Sequence, residues 1–149
     1  YLLGDPTAKN AGRLTLNPLK HLDPIGTLVL ILTRRIGWAK PVPINPAYFK
    51  NLRRDILLVS LAGPAANLVL AVIFFLLFKL VNFLSPFFST QLNQVVFAPM
   101  GFIFSAGTLV NVILAALNLI PIPPLDGSKI IASFLPSSIA DKYMGLEKF

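Results

Sequence analysis

Twenty-three consecutive residues, Ile56 to Phe78, carry no charge, and Asp55 and Lys79 bound the run. An α-helix rises about 1.5 Å per residue, so about 20 residues cover the roughly 30 Å hydrocarbon core of a bilayer. The run therefore spans, with a little length left for tilt. From Leu80 to Leu125 a further forty-six residues lack a formal charge, which is room for a polar turn and a second crossing. Composition agrees. Hydrophobic residues make up 55% of the chain and charged ones 13%, with a mean hydropathy of +0.73. A soluble domain carries about a quarter charged residues. The expected fold class is an all-α membrane protein with multi-pass transmembrane helices, a short extended segment, and re-entrant or interfacial pieces. Residues 1–149 are expected to form a single membrane-embedded domain in the cell membrane. Its transmembrane helices lie at about 56–80 and 96–120, with a partial membrane segment at about 24–36.

The net charge is +7, and six of the thirteen basic residues sit between Arg34 and Arg54, directly before the first crossing. Lys and Arg flanking a span mark its cytoplasmic side. The Asn82 to Asn93 turn is then expected on the opposite side, and Asp126 near the cytoplasmic end of its helix. Basic stripes that bind nucleic acid accompany a soluble fold, so no nucleic-acid partner is expected. There is no cysteine, hence neither disulfide nor thiolate metal site.

Along the chain, Tyr1 to Gly4 reads as the last turn of a helix, with Gly4 as its left-handed cap and Asp5-Pro6 blocking continuation. The alternation Arg13, Leu14, Thr15, Leu16 predicts a short extended segment or hairpin at the membrane surface. Ile25 to Leu32 is apolar but too short to cross. It is either re-entrant or the inner part of a helix beginning near Asp23. Ala47 to Asp55 is basic and amphipathic, predicting an interfacial helix. Small residues at Ser60, Ala62, Gly63, Ala65 and Ala66 allow close approach of a neighbouring helix, and Pro64 bends its own. Pro99 and Gly101 delay the start of the second crossing.

Asp126 stands at the end of that crossing, after Pro121, Pro123 and Pro124, with Gly127 behind it. A carboxylate near membrane depth is costly and needs a cation or proton partner. The prolines stiffen its approach. An equally simple reading makes Asp126 the N-cap of a helix starting near Ser128. Asn67 and Asn118 lie in or beside apolar segments, where an unpaired amide is penalised and interhelical hydrogen bonding is the plain explanation. His21 is the only histidine, and a zinc site takes three or four protein ligands. This sequence cannot assemble one alone.

Asn118-Leu-Ile-Pro-Ile-Pro-Pro-Leu-Asp126-Gly127 resembles the third-ligand motif of the site-2 proteases, which are intramembrane zinc metalloproteases. Gly63, Pro64 and Asn67 are similar to their Gly-Pro-x-x-Asn helix motif. Gly4 to Lys9, Gly12 to Pro18 and His21 to Pro24 resemble the compact bacterial branch without a PDZ domain. The resemblance runs to about residue 135 and implies hydrolysis of peptide bonds in membrane-protein substrates, in regulated intramembrane proteolysis. It implies Zn2+ as cofactor, Asp126 as third zinc ligand, and Asn67 and Asn118 as residues lining the cleft or holding substrate backbone. On the residue pattern alone, the short extended segment near Arg13 to Leu16 is expected to offer such a substrate a strand edge. In the family an HExxH helix supplies two histidines and the general base, since histidines four apart share a helix face. Bound zinc lowers the pKa of its water toward neutrality. No HExxH occurs here. The expectation is an N-terminally truncated chain whose HExxH lies upstream of Tyr1, inactive by itself and holding no catalytic residue. The alternative is a catalytically inactive binding or scaffold protein of the same fold. A transporter using Asp126 and the asparagines as an ion path is a third class, weakened by the absence of a paired basic residue in the membrane.

Overall fold

A computed structural model describes residues 1–15 and 17–145, and among these residues the chain is helical with no strand. It divides into two compact units, Tyr1–Asp55 and Ile56–Phe149.

The first unit is loop-rich. Helix α1 (Thr7–Asn10) follows a turn at Gly4, whose φ of 99° is open to glycine and strained for other residues. Helix α2 (Pro24–Thr33) starts on Asp23, whose carboxylate accepts the Gly26 N–H at 2.8 Å, and stops where Arg34 turns left-handed at φ 52°. The helix begins near Asp23, as one of the two sequence readings had it. Gly26 is required by packing: a Cβ there would lie 2.9 Å from the Trp38 ring and collide with the Trp38 carbonyl.

The expected extended segment at Arg13–Leu16 does not form. Leu14 and Thr15 are bent, and Leu16 lies outside the described residues. Arg13 turns inward and donates to the carbonyls of Lys20 and Lys40, and to that of Pro41 at 3.3 Å. A residue fixed in this way cannot alternate along a strand. Extended pairing occurs instead as one isolated bridge, Leu22 with Ala39.

A separate interfacial helix over Ala47–Asp55 is also absent. Pro46–Tyr48 forms a 3-10 turn, and α3 (Leu52–Leu84) begins four residues later. Its start is a reciprocal cap. Asn51 Oδ1 accepts the Arg54 N–H at 3.3 Å, and Asp55 Oδ2 accepts the Asn51 N–H at 3.1 Å. The cap places the helix start at Leu52 and leaves Ala47–Asn51 outside it.

In the second unit α3 runs on through Pro64, followed by a 3-10 turn at Ser85–Phe87 and the single turn α4 (Thr90–Leu92). A π turn, Asn93–Phe97, leads without interruption into α5 (Ala98–Asn118). The second apolar helix thus starts earlier than Pro99 suggested. Proline cannot donate to the carbonyl four residues back, and here the preceding turn is already widened to five, with Ala98 N–H bonded to Asn93 O. Leu52–Phe87 and Thr90–Asn118 are both long and apolar enough to cross a membrane, and only 11% and 6% of their most apolar stretches is buried.

Among the described residues the buried apolar side chains are Ala71 and Val81 of α3 and Ala115 of α5. A Cβ on Gly101 would stand 3.9 Å from Val81, and one on Gly107 would stand 2.9 Å from the Phe74 ring. Phe74 and Phe104 rings lie 6.2 Å apart. Positions rising on α5 meet positions falling on α3, so the helices are antiparallel. The small residues that admit close approach are Gly101 and Gly107. Ala62, Gly63, Ala65 and Ala66 are exposed, and of the expected stripe only Ser60 is buried. Helices α6 (Asp126–Phe134) and α7 (Ser137–Met144) complete the unit.

Candidate functional site

The proline-rich turn after α5 folds back on the helix that precedes it. Gly127 is buried so tightly against that helix end that a Cβ would meet the Leu119 and Ile120 carbonyls. The Pro123-Pro124 bond is cis. Tyr143 on α7 donates its hydroxyl to the Pro121 carbonyl, and Ser128, fully buried, donates to Leu125 O at 2.7 Å. These contacts hold the turn from three directions and set Asp126 at the first residue of α6.

Asp126 is the first residue of α6, whose N-cap is Leu125, and among the described residues its side chain accepts one hydrogen bond, from Lys129. Its oxygens face two ways. Oδ1 pairs with Lys129 Nζ at 3.4 Å, one helical turn on, and Oδ2 lies 3.3 Å from the point where a Cβ on Gly63 would be. Part of the carboxylate stays accessible, at 31% exposure. The structure thus brings together the Leu-Asp-Gly turn, the end of α5 and the Gly-Pro-x-x-Asn stretch of α3.

Asn67 stands four residues after Gly63, and positions four apart share a helix face. Asn118 is the last residue of α5, beside the turn on which Gly127 packs. Both are partly buried, and neither side chain has a hydrogen-bond partner among the described residues. His21 belongs to the first unit, with Nε2 2.9 Å from Thr15 O, as a hydrogen-bonded loop residue. Sequence reading missed Lys129. The signal was present, since Asp and Lys three apart on a helix are in reach of each other.

One accessible carboxylate fits a single position in a zinc shell and cannot hold the ion. Among the described residues no three His, Cys, Asp or Glu side chains come together.

The family model of Peptidase family M50 matches residues 24–144. The chain belongs to that family, the site-2 proteases. Two relatives share the name "Putative zinc metalloprotease". YwhC of Bacillus subtilis is 44% identical over 153 residues, covering 100% of this chain and 66% of its own. Rip2 of Mycolicibacterium smegmatis is 38% identical over 131 residues, covering 85% of this chain and 46% of its own. The site-2 protease chain therefore spans just under two-thirds of the first relative and under half of the second. No solved structure matches it. The family match includes Gly63, Asn67, Asn118 and Asp126, and excludes the stretch before Pro24.

Proposed function

We propose that this chain is the part of an intramembrane zinc metalloprotease that supplies one zinc ligand, Asp126, and the cleft beside it. The observation that carries the reading is the Asp126 carboxylate itself. It is held at a fixed turn, at the first residue of α6 and not at its N-cap, bonded only to Lys129 among the described residues and directed at the glycine of the second family motif. Membership of the M50 family and the metalloprotease names of the relatives supply the reaction class. Asn67, one turn beyond Gly63 on α3, and Asn118, at the end of α5, are amides without side-chain partners among the described residues and are suited to hydrogen-bond an unwound substrate backbone. A catalytic zinc site takes three protein ligands. Among the described residues no two others join Asp126, so in this reading the remaining ligands and the general base are supplied by other parts of the full-length protein, and residues 1–149 by themselves are expected to bind zinc weakly and cleave nothing.

Two long apolar helices with little buried surface support a multi-pass protein in the cell membrane. The core helix of a soluble domain would be mostly covered. Substrates are then membrane proteins, reached within the bilayer.

The deciding experiment uses Asp126→Asn in the full-length protein. Asn retains an oxygen and caps a helix as well as Asp does, but lacks the charge of a zinc ligand. The variant is expected to insert normally, lose most bound zinc and lose nearly all cleavage of a transmembrane substrate. Normal zinc content with full cleavage removes Asp126 from the site. A catalytically inactive scaffold of the same fold would instead show no cleavage before any substitution.

A further inference from the structure

The charge of this chain is concentrated in one unit. Tyr1–Asp55 holds nine Lys and Arg against three Asp, whereas the rest holds four Lys against three acids. All three carboxylates of the first unit are engaged by its own backbone. Asp5 accepts the N–H groups of Thr7 at 2.9 Å and Asn45 at 2.8 Å, Asp23 caps α2, and Asp55 caps α3. Among the described residues the one salt bridge is Lys129–Asp126, in the other unit. Arg13 is occupied by carbonyls. The remaining basic side chains of the first unit therefore have no acidic partner within the described chain.

These cations border apolar surface. Helix α2 is ten residues, about 15 Å long and too short to cross. Ile25, Leu28, Ile31 and Leu32 are all more than half exposed on it. Arg34 and Arg35 follow at its end. Trp38, 51% exposed, is pressed by its ring and carbonyl onto Gly26 of the same helix, and Lys40 comes two residues later. A short apolar helix edged by arginines and a tryptophan is the composition of an element lying in the headgroup region.

We infer that α2 and the Arg34–Lys40 segment form a docking surface for anionic phospholipid, with the apolar side chains among the acyl chains and Arg34, Arg35 and Lys40 on the headgroup phosphates. Charge complementarity selects the anionic class, because the unit carries nine cations against three carboxylates and none of these cations is ion-paired among the described residues. This inference goes beyond the protease reading and does not depend on cleavage activity.

Trp38 is the only tryptophan in residues 1–149, which makes the surface its own reporter. The full-length protein, with any tryptophan outside this range replaced by phenylalanine, is reconstituted in phosphatidylcholine bilayers. These contain equal small fractions of brominated phosphatidylglycerol or brominated phosphatidylcholine, and quenching of Trp38 emission is compared. The brominated phosphatidylglycerol is expected to quench at lower mole fraction, with a preference on the order of fivefold, shrinking as salt is raised. Arg34→Asn, Arg35→Gln and Lys40→Gln together should bring the two lipids to equal quenching, Asn being chosen because position 34 is left-handed. Lys142→Gln should behave as the parent. Equal quenching by both lipids in the parent overturns the inference, as does a preference surviving in the triple variant. Quenching by neither lipid also overturns it, as when a second copy or another protein covers Trp38.

Discussion

Arg13 carries a full charge into a buried position where its guanidinium meets only carbonyl oxygens, those of Lys20, Lys40 and Pro41. The planar fork suits several acceptors at once, and a lysine ammonium cannot span them. Arg13→Lys is expected to destabilise the first unit by about 2 kcal/mol, one charge-assisted hydrogen bond or more, seen as a lower detergent-unfolding midpoint. Asp5 works on the same unit from the other side, clasping Asn45 forty residues away. The Thr7 hydroxyl, then the Asn45 N–H, hold its carboxyl below the ordinary value of 3.8. A lowered folded value means that the clasp is fully present above that pH and is lost as pH falls through the folded value beneath it. Hydrogen exchange at the Asn45 amide should show steady protection down to about pH 4 and loss below. Protection that shows no fall at any pH below 3.8 would refute the clasp. At the site, Lys129 and Asp126 are both about one-third exposed, so solvent screens their attraction. Lys129→Gln should change stability by less than about 1 kcal/mol.

At the scale of elements, the apolar runs gave away the two long helices, because nothing but a helix satisfies an uncharged backbone of that length in lipid. Their ends were less legible. The extra turn of α3 at Leu52 depends on Asn51 and Asp55 capping each other, a side-chain exchange that hydropathy cannot register. The strand expected at Arg13–Leu16 failed because alternation says nothing of a long-range demand on Arg13. The Asp126 turn was legible as a stop, from its prolines, but its tight fit was not: Gly127 matters for the carbonyls behind it. Gly127→Ala should cost about 1–3 kcal/mol through overpacking and loosen Asp126. A variant as stable as the parent, by thermal melting in detergent, would show that the turn has room to give.

For the whole molecule, the family resemblance grouped Asp126 with Asn67 and Asn118, and the approach of Asp126 to Gly63 came from the fold, not from the sequence. The buried Ser128 hydroxyl emerges only from the fold, since an ordinary residue acquires such a place through packing, whereas Lys129 was within reach of a helical i,i+3 reading. Helix α3, at 33 residues, is about 50 Å long and exceeds a bilayer core. Single cysteines at Lys50 and Gln91 should therefore be labelled from opposite faces of the membrane. Labelling of both from one face would rule out two crossings.

The π turn at Asn93–Phe97 has a bearing on angular phase. Each residue of an α-helix advances the chain by about 100°, and a π turn inserts one residue without a matching advance of the backbone bonds. Side chains before the turn are thus offset around the axis from those after it. Asn93 uses that offset, its amide donating to the carbonyls of Ser85 at 2.8 Å, Phe88 at 3.1 Å and Ser89 at 3.2 Å, while Gly101 and Gly107 keep their alignment with α3. Removing one residue between Asn93 and Phe97 would leave a regular helix in which either the loop anchor or the helix pairing is correct, and not both.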